Sequence, residues 1–295
     1  MMPTSKFQEA KNEIKTAVQG LERDILKQAE ISQLLEQMRE QWALPKSMNG
    51  PTFARKLVEV KFLQRYTFPF PHRAEMRYAK PHVPMLEVLQ SLKQNSYYTH
   101  MSAMQVHGLI NNFVKDIYIN FEQRPHERGS LPEQSRIDAA FKGNPRKTNN
   151  IIQENDRDIT MLNGMHTNLL GVEEQCVKVL THEPANIRVT NLERTLIDIS
   201  LRPYYSGGVE EVLHAYKLAR DNVNVTQLAK YLAKLNYVYP FHQAIGWYME
   251  KAGYSDKQLK ILRSRPKLRH FYLTHKMDKP FFDESWQIFV PSHMS

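Results

Sequence analysis

Apolar residues between positions 5 and 41 recur every three to four residues, with no proline and with Gly20 as the single breaker. Leu21, Ile25, Leu26, Ile31, Leu34, Leu35 and Met38 share one face, which predicts an amphipathic helix that Gly20 can divide. Residues 1–30 read as an N-terminal helical extension of mixed charge: a docked arm, a dimer contact or a solvated lead-in. Ile31–Trp42 is then the first helix of a three-helix core. Pro45–Gly50 is a turn-rich break. Pro51 suits a first helical turn, where no amide donor is needed. The helix it opens runs to about Val60 and turns Phe53, Leu57 and Val60 inward.

The period then changes to two. QRYTF (Gln64–Phe68) and EMRY (Glu75–Tyr78) alternate as strands of a hairpin interrupted by Pro69 and Pro71. A basic helix followed by a basic hairpin is the pattern of a winged helix-turn-helix, expected over residues 31–80. Pro81–Pro84 forms a linker to a larger domain over 85–290. In it, Asp116–Phe121, Ile151–Gln153 and Asp158–Leu162 predict strands, and Pro132–Phe141 a helix. Val209–Ala219, Val225–Leu235, Pro240–Ala252 and Lys257–Arg263 follow at helical period. Leu268–Thr274 and Trp286–Val290 alternate as strands, expected to re-enter the sheet begun near Asp116. Residues 291–295 are expected to form a disordered tail. The fold class is α+β: a winged helix-turn-helix followed by a mixed α/β C-terminal domain with a helical half.

Charge sharpens this picture. The 295 residues carry a net charge of +9, unevenly placed. Residues 45–80 hold eight Lys or Arg against Glu59 and Glu75, and residues 251–280 hold nine against Asp256 and Asp278. Clustered charge points to a polyanionic partner more strongly than a high isoelectric point does; the plainer alternative is a solvated basic surface. Thr52, Arg55 and Lys56 are candidates for groove contacts, Arg being the best reader of guanine. Lys46, Lys61, Arg65, Arg73 and Arg77 are candidates for phosphates. The second cluster (Lys257, Lys260, Arg263, Arg265, Lys267 and Arg269) can extend a DNA footprint or meet RNA or a protein.

Two further stretches stand out. In YYTHMSAMQVHGL (97–109), Ser102 can cap a short helix on which Ala103 packs closely and which ends near Gly108 and Leu109. His107 reads as a structural histidine near the helix end. In NIRVTNLERTLID (186–198), Thr190 and Glu193 have the spacing of a capping box. Arg194 and Asp198 stand one turn apart and can pair. Thr195 lies between them. An acid–base cluster of Glu193, Arg194 and Asp198 is the catalytic alternative, but capping and pairing account for all three.

In order and spacing, these two stretches resemble signatures of the AbiEi-like family, the antitoxins and transcriptional regulators of type IV toxin–antitoxin systems. The likeness spans about Ile31 to Arg265. It implies an N-terminal winged helix that binds inverted repeats in double-stranded promoter DNA, as a monomer in solution or a dimer on DNA. It also implies a C-terminal domain that counters a cognate nucleotidyltransferase-like toxin without needing a stable complex with it. The N-terminal extension and the basic C-terminal segment depart from the pattern.

Other chemistry finds less support. No phosphate-cradling glycine loop, H-E-x-x-H or G-x-S-x-G occurs. The chain is therefore expected to be no enzyme, with no cofactor and no metal. The alternative is a metal-dependent nuclease with a DNA-binding headpiece, drawing on Asp116, Glu122, Glu154, Asp156 and Asp158. Cys176 is the only cysteine. It cannot form an internal disulfide and reads as a packed residue. No apolar run reaches membrane-spanning length and the N-terminus lacks a signal-peptide core. The expectation is a cytoplasmic protein with no membrane partner.

Overall fold

The computed structural model describes residues 6–127, 129–154, 156–181 and 183–295. The fold is α+β and divides into two compact units, residues 1–94 and 95–295. Among the described residues no helix is long and apolar enough to cross a membrane.

The first unit runs α1 (Lys6–Glu9), α2 (Lys11–Gln19), β1 (Ile25–Leu26), α3 (Gln28–Met38), α4 (Gly50–Glu59), β2 (Gln64–Phe68), β3 (Glu75–Ala79) and α5 (Met85–Gln90). The helical period expected through Ile25 and Leu26 breaks at Gly20. Those two residues instead form a strand paired with Ala79 and Tyr78. The three strands take the order β1-β3-β2. The N-terminal residues are no appendage: Phe7, Ala10, Ile14 and Val18 are buried in one apolar cluster with Ile31, Leu35, Phe53 and Leu57. Each of the Phe, Ile, Val and Leu side chains among them contributes roughly 1.5–3 kcal/mol on burial. The expected boundary at residue 31 therefore cuts through a core. The boundary at 80 falls inside this unit, which runs to residue 94 and includes α5 with its buried Leu86, Val88 and Leu89.

Local chemistry sets the geometry of α3 and α4. Asn49 caps α4, its Oδ1 accepting from Thr52 N at 2.9 Å, and Pro51 occupies the first turn. Gly50 lets the start of α4 press on α3, for a Cβ there would lie 1.9 Å from Ser32 Oγ. Arg39 braces the intervening turn by donating to Pro45 O at 2.8 Å and Met48 O at 3.0 Å.

The second unit is built on a six-stranded mixed sheet. Its strands are β4 (Tyr97–Tyr98), β5 (Ile117–Glu122), β6 (Ile151–Glu154), β7 (Arg157–Gly164), β8 (Val172–Val177) and β9 (Ala185–Thr190), in the order β6-β7-β5-β4-β9-β8. α6 (Met101–Val106) follows β4, and α7 (Gln134–Lys142) precedes β6. α8 (Leu192–Leu201), α9 (Val209–Ala219), α10 (Val225–Leu235), α11 (Phe241–Lys251) and α12 (Asp256–Arg263) form the helical half around Leu196, Val212, Tyr216, Leu228, Ile245 and Leu262.

The C-terminal strands do not rejoin the large sheet. β10 (Phe271–Tyr272), β11 (Phe281–Asp283) and β12 (Ile288–Val290) make a separate sheet in the order β10-β12-β11. The expected disordered tail has a place too: Ser292–Met294 forms a 3-10 turn and His293 Nε2 meets Glu210 Oε1 at 2.6 Å. Cys176 sits on β8 and is exposed rather than packed.

Candidate functional sites

In the first unit, α4 presents Arg55 to solvent and Thr52 half-buried at its N-terminal end. Arg65 on β2, Lys46 before α4, Lys61 after it and Arg73 in the hairpin turn are all exposed. Thr52, Arg55, Val58, Glu59, Arg65, Met76 and Tyr78 line one concave surface between α4 and the hairpin. Arg55 is not idle there: its guanidinium donates to Glu59 Oε1 at 2.6 Å. Both partners are exposed, so this pair stabilises the helix by no more than about 0.5 kcal/mol and is readily exchanged for another anion.

Two of the predicted DNA contacts fall elsewhere. Arg77 is buried, donating to Met76 O at 2.7 Å, Ser91 O at 3.1 Å and Leu92 O at 2.9 Å, beside Glu75. The reason is strand alternation. Arg65, Thr67, Met76 and Tyr78 share one face of the hairpin, and Tyr66, Phe68, Glu75 and Arg77 share the other. That second face meets the end of α5, where Lys93 Nζ reaches Glu75 Oε1 at 2.6 Å. Burial opposes the Glu75 charge, but Lys93 and Arg77 outweigh it and hold the carboxyl below its ordinary range. Lys56 is the second case: it is half-buried, with Nζ 5.3 Å from the centre of the Phe7 ring. It points to the N-terminal helices while Arg55 points away from them. Lys80, one of the eight bases in the cluster, is buried and bonded to Gln19 O and Leu21 O, both at 3.0 Å.

The second basic segment is mostly engaged in holding the helical half together. Arg263 pairs with Glu250 at 2.8 Å and Asp256 at 2.9 Å. Arg265 donates to Ala229 O at 3.0 Å, and burial lowers its pKa. Arg269 donates to Pro132 O at 3.3 Å. Lys267 and Arg263 lie over the buried Trp286 ring, which itself rests on Gly246: a Cβ there would come within 2.1 Å of the ring. Trp286 Nε1 donates to Glu250 at 2.6 Å. Lys257 and Lys260 are exposed and meet no carboxylate among the described residues.

The two motifs of the second unit, distant in sequence, meet in space. β4 runs parallel to β9 with Tyr98 opposite Val189. His107 Nε2–H donates to Thr190 O at 2.6 Å, which makes it a structural tie between the motifs. Thr99 Oγ1 donates to Asp198 Oδ2 at 3.1 Å. Arg194 pairs with Asp198 at 2.7 Å and also donates to Leu170 O at 2.7 Å and Thr167 Oγ1 at 3.3 Å. Burial disfavours the Arg194 charge, but Asp198 more than offsets it and its pKa lies above the ordinary value. Glu122 accepts from Thr167 N at 2.9 Å and Leu169 N at 3.3 Å and meets His166 at 3.2 Å.

Local roles differ from the expected ones. Asn191, not Thr190, caps α8, accepting from Arg194 N at 3.0 Å. Thr190 Oγ1 instead shares a 2.8 Å bond with Thr195 Oγ1. Glu193 accepts from Asn224 N at 2.8 Å, tying α8 to the start of α10. Ser102 does not cap α6 but accepts from Tyr118 N at 2.8 Å, bridging to β5. Ala103 is fully buried, Leu109 is buried, and Gly108 ends the helix at φ +65°. His100 precedes α6 at φ +50°, a backbone state that L-residues seldom adopt and that costs about 1–3 kcal/mol. Tyr97 and His100 stand in the 97–109 stretch, but neither spacing nor period gives them a role of their own in the sequence.

The acidic residues weighed as a nuclease site are dispersed. Asp116, just before β5, accepts from Asp158 N on β7 at 3.2 Å. Glu122 lies at the far end of β5 in its own bonded network, and Asp156 is in the turn after β6. Among the described residues no three His, Cys, Asp or Glu are grouped to hold a metal ion.

No family model matches the chain, and no curated protein does. Among solved structures, the crystal structure of the Rv2827c protein from Mycobacterium tuberculosis is similar over 95% of this chain and 90% of that one, with a TM-score of 0.56 and 13% identity. Likeness at that identity speaks to fold alone.

Proposed function

We propose that the chain is a DNA-binding transcriptional repressor and antitoxin, as its resemblance to the AbiEi-like regulators of type IV toxin–antitoxin operons implies. The observation that carries the DNA-binding half is the order α2-β1-α3-α4-β2-β3, with β1 paired outside the hairpin and the exposed Arg55 of α4 sharing one concave surface with Arg65 of β2. We read this as a winged helix-turn-helix in which α4 enters the major groove and β2–β3 is the wing. Thr52 and Arg55 then read bases, Arg55 exchanging Glu59 for a guanine edge. Lys46, Lys61, Arg65 and Arg73 take phosphates. Arg77 and Lys56 leave the DNA footprint and serve the fold.

The antitoxin half rests on the resemblance. Its two motifs form the joint between the sheet and the helical half of the second unit, which supports a scaffold role for Ser102, His107, Arg194 and Asp198. The partner is a nucleotidyltransferase-like toxin.

The test is a gel shift against the promoter region of the chain's own operon. The double substitution Arg55→Ala and Arg65→Ala is expected to remove specific binding while leaving thermal unfolding unchanged. Unaltered affinity would overturn the recognition-helix assignment. Toxin rescue on co-expression, measured in the same variant, separates the two halves: it should persist.

A further inference from the structure

The second unit has a groove that neither DNA binding nor the scaffold role uses. It lies between the end of α10, the segment that leads into α11 and the chain that follows α12. Leu232, Ala233, Tyr239, Phe241, Arg265 and Leu268 line it, and its volume is about 320 Å³. Sites for small molecules begin at about 300 Å³ and are mostly apolar, with a few placed polar groups.

The apolar wall is held in place by rings behind it. Tyr239 and Phe241 meet edge to face with centres 6.0 Å apart. Both also pack on the buried Phe271, at 5.9 Å and 5.2 Å. Opposite α10, Leu268 is 65% exposed, more than any other large apolar side chain among the described residues. A ligand would therefore find formed apolar surface on more than one side.

Arg265 gives the groove its polarity. The side chain is half-buried, and Nη2 donates to Ala229 O at 3.0 Å. That bond uses one of five N–H groups. Nε and Nη1 have no hydrogen-bond partner among the described residues, yet neither is a buried atom left unsatisfied, so both are open to solvent. No carboxylate pairs with this guanidinium: burial alone lowers its pKa, and no opposite charge offsets it. Arg194 is the contrast, because Asp198 more than offsets its burial. The other charges nearby have the same sign as Arg265. Lys267 and Arg265 both act on His242, which burial chiefly keeps neutral, with its pKa down to about 4. Lys234 is exposed next to Ala233 on α10. A partly desolvated guanidinium without a counter-charge is unfavourable, and a carboxylate seated on it in a fork would relieve that cost. Arg265 is the one cation in the lining, which sets the ligand's charge at a single carboxylate.

We propose that this groove binds a small planar apolar molecule bearing one carboxylate, its ring body against Tyr239, Phe241 and Leu268 and its carboxylate forked onto Arg265. The proposal rests on neither the DNA-binding nor the antitoxin reading.

The test is calorimetric titration of the full chain with two probes. One is 2-naphthoate; the other is 2-naphthol, which keeps the rings and lacks the charge. Naphthoate is expected to bind saturably, with naphthol at least about tenfold weaker, the scale of one hydrogen bond between charged groups. Arg265→Gln keeps a donor for Ala229 O and should weaken naphthoate about tenfold or more while leaving naphthol unchanged. Ala233→Glu guards against a folding defect in that variant. Residue 233 is exposed on a helix, where Glu is well tolerated, and the new carboxylate can occupy Arg265. It should also weaken naphthoate about tenfold, with thermal unfolding unchanged. Arg55→Ala with Arg65→Ala, which removes charge from the first unit, should bind naphthoate as the parent does. No saturable naphthoate binding at millimolar concentration, naphthol as tight as naphthoate, or full naphthoate affinity in either Arg265→Gln or Ala233→Glu would each overturn the proposal. Loss of binding in the Arg55 and Arg65 double variant would place the site on the first unit and overturn it as well.

Discussion

Arg55 and Arg194 occupy matching local positions in the two units. Each sits on a helix, and each pairs with a carboxylate four residues on, at 2.6 Å for Glu59 and 2.7 Å for Asp198. Their fates differ. The Arg55 side chain is 65% exposed and that of Arg194 is 4% exposed. In water the pair is a weak, exchangeable latch, and the arginine stays available to a ligand. Inside the second unit the same pair is locked by two further oxygen acceptors, at Leu170 and Thr167. Spacing alone makes a pair; surroundings decide whether it is a tool or a brace.

The sharpest way to break this comparison is Arg194→Ala. It leaves Asp198 buried without its partner and should cost about 3–5 kcal/mol in urea unfolding of the second unit. A loss no larger than that of an exposed pair would put Arg194 in the same class as Arg55. Next in size is pH. The folded pKa of His100, about 3, lies below the ordinary 6.5, as does that of His242, about 4, chiefly from burial. The unfolded chain binds those protons first, so stability is whole above about pH 6.5 and falls as pH drops toward 3. The His100 share is on the order of a few kcal/mol. His100→Phe should flatten that acid limb in thermal melts; an unchanged limb would mean that the ring is not kept neutral by burial.

Arg77→Ala follows. Three carbonyls lose a donor, and the first unit should lose about 1–3 kcal/mol. The salt dependence of DNA binding should not change, whereas Arg65→Ala should lower the slope of log affinity against log salt by about one. Arg55→Ala alone should weaken operator binding by about 1–3 kcal/mol and relax discrimination at one base pair, without altering stability. The smallest effect is expected for Glu59→Gln. Stability should shift by no more than about 0.5 kcal/mol, and DNA affinity should rise slightly as a competing carboxylate disappears. A marked loss of affinity would assign Glu59 itself to base reading.

Much of the chain was legible because it obeys local rules. The hairpin strands showed in the two-residue alternation of QRYTF and EMRY, and α9 to α12 in their three- to four-residue apolar spacing. The Arg194–Asp198 pair was visible as two opposite charges one turn apart. Other features needed contacts far along the chain. Ile25 and Leu26 fit a helical stripe, yet the edge of β3 offered them backbone partners that outweighed propensity. Arg77 looked like a wing residue until α5 covered its face. Val172–Val177 has too weak an alternation to mark a strand, and its place at the sheet edge beside β9 shows only in the pairing.

By itself, then, the amino-acid order determined the α+β class, the basic character of two segments, most helices and the short-range pairs. Those depend on periodicity, caps and neighbours within about one helical turn. Only the tertiary structure decided which bases remain free. It buried Arg77 and Lys80, wrapped Arg263 and Lys267 around Trp286, and left Arg55 and Arg65 in the open. It also joined Thr99 to Asp198, 99 residues apart. The physical reason is that burial and hydrogen-bond satisfaction belong to a three-dimensional neighbourhood, and no local pattern encodes which carbonyl or carboxylate will lie opposite a given side chain.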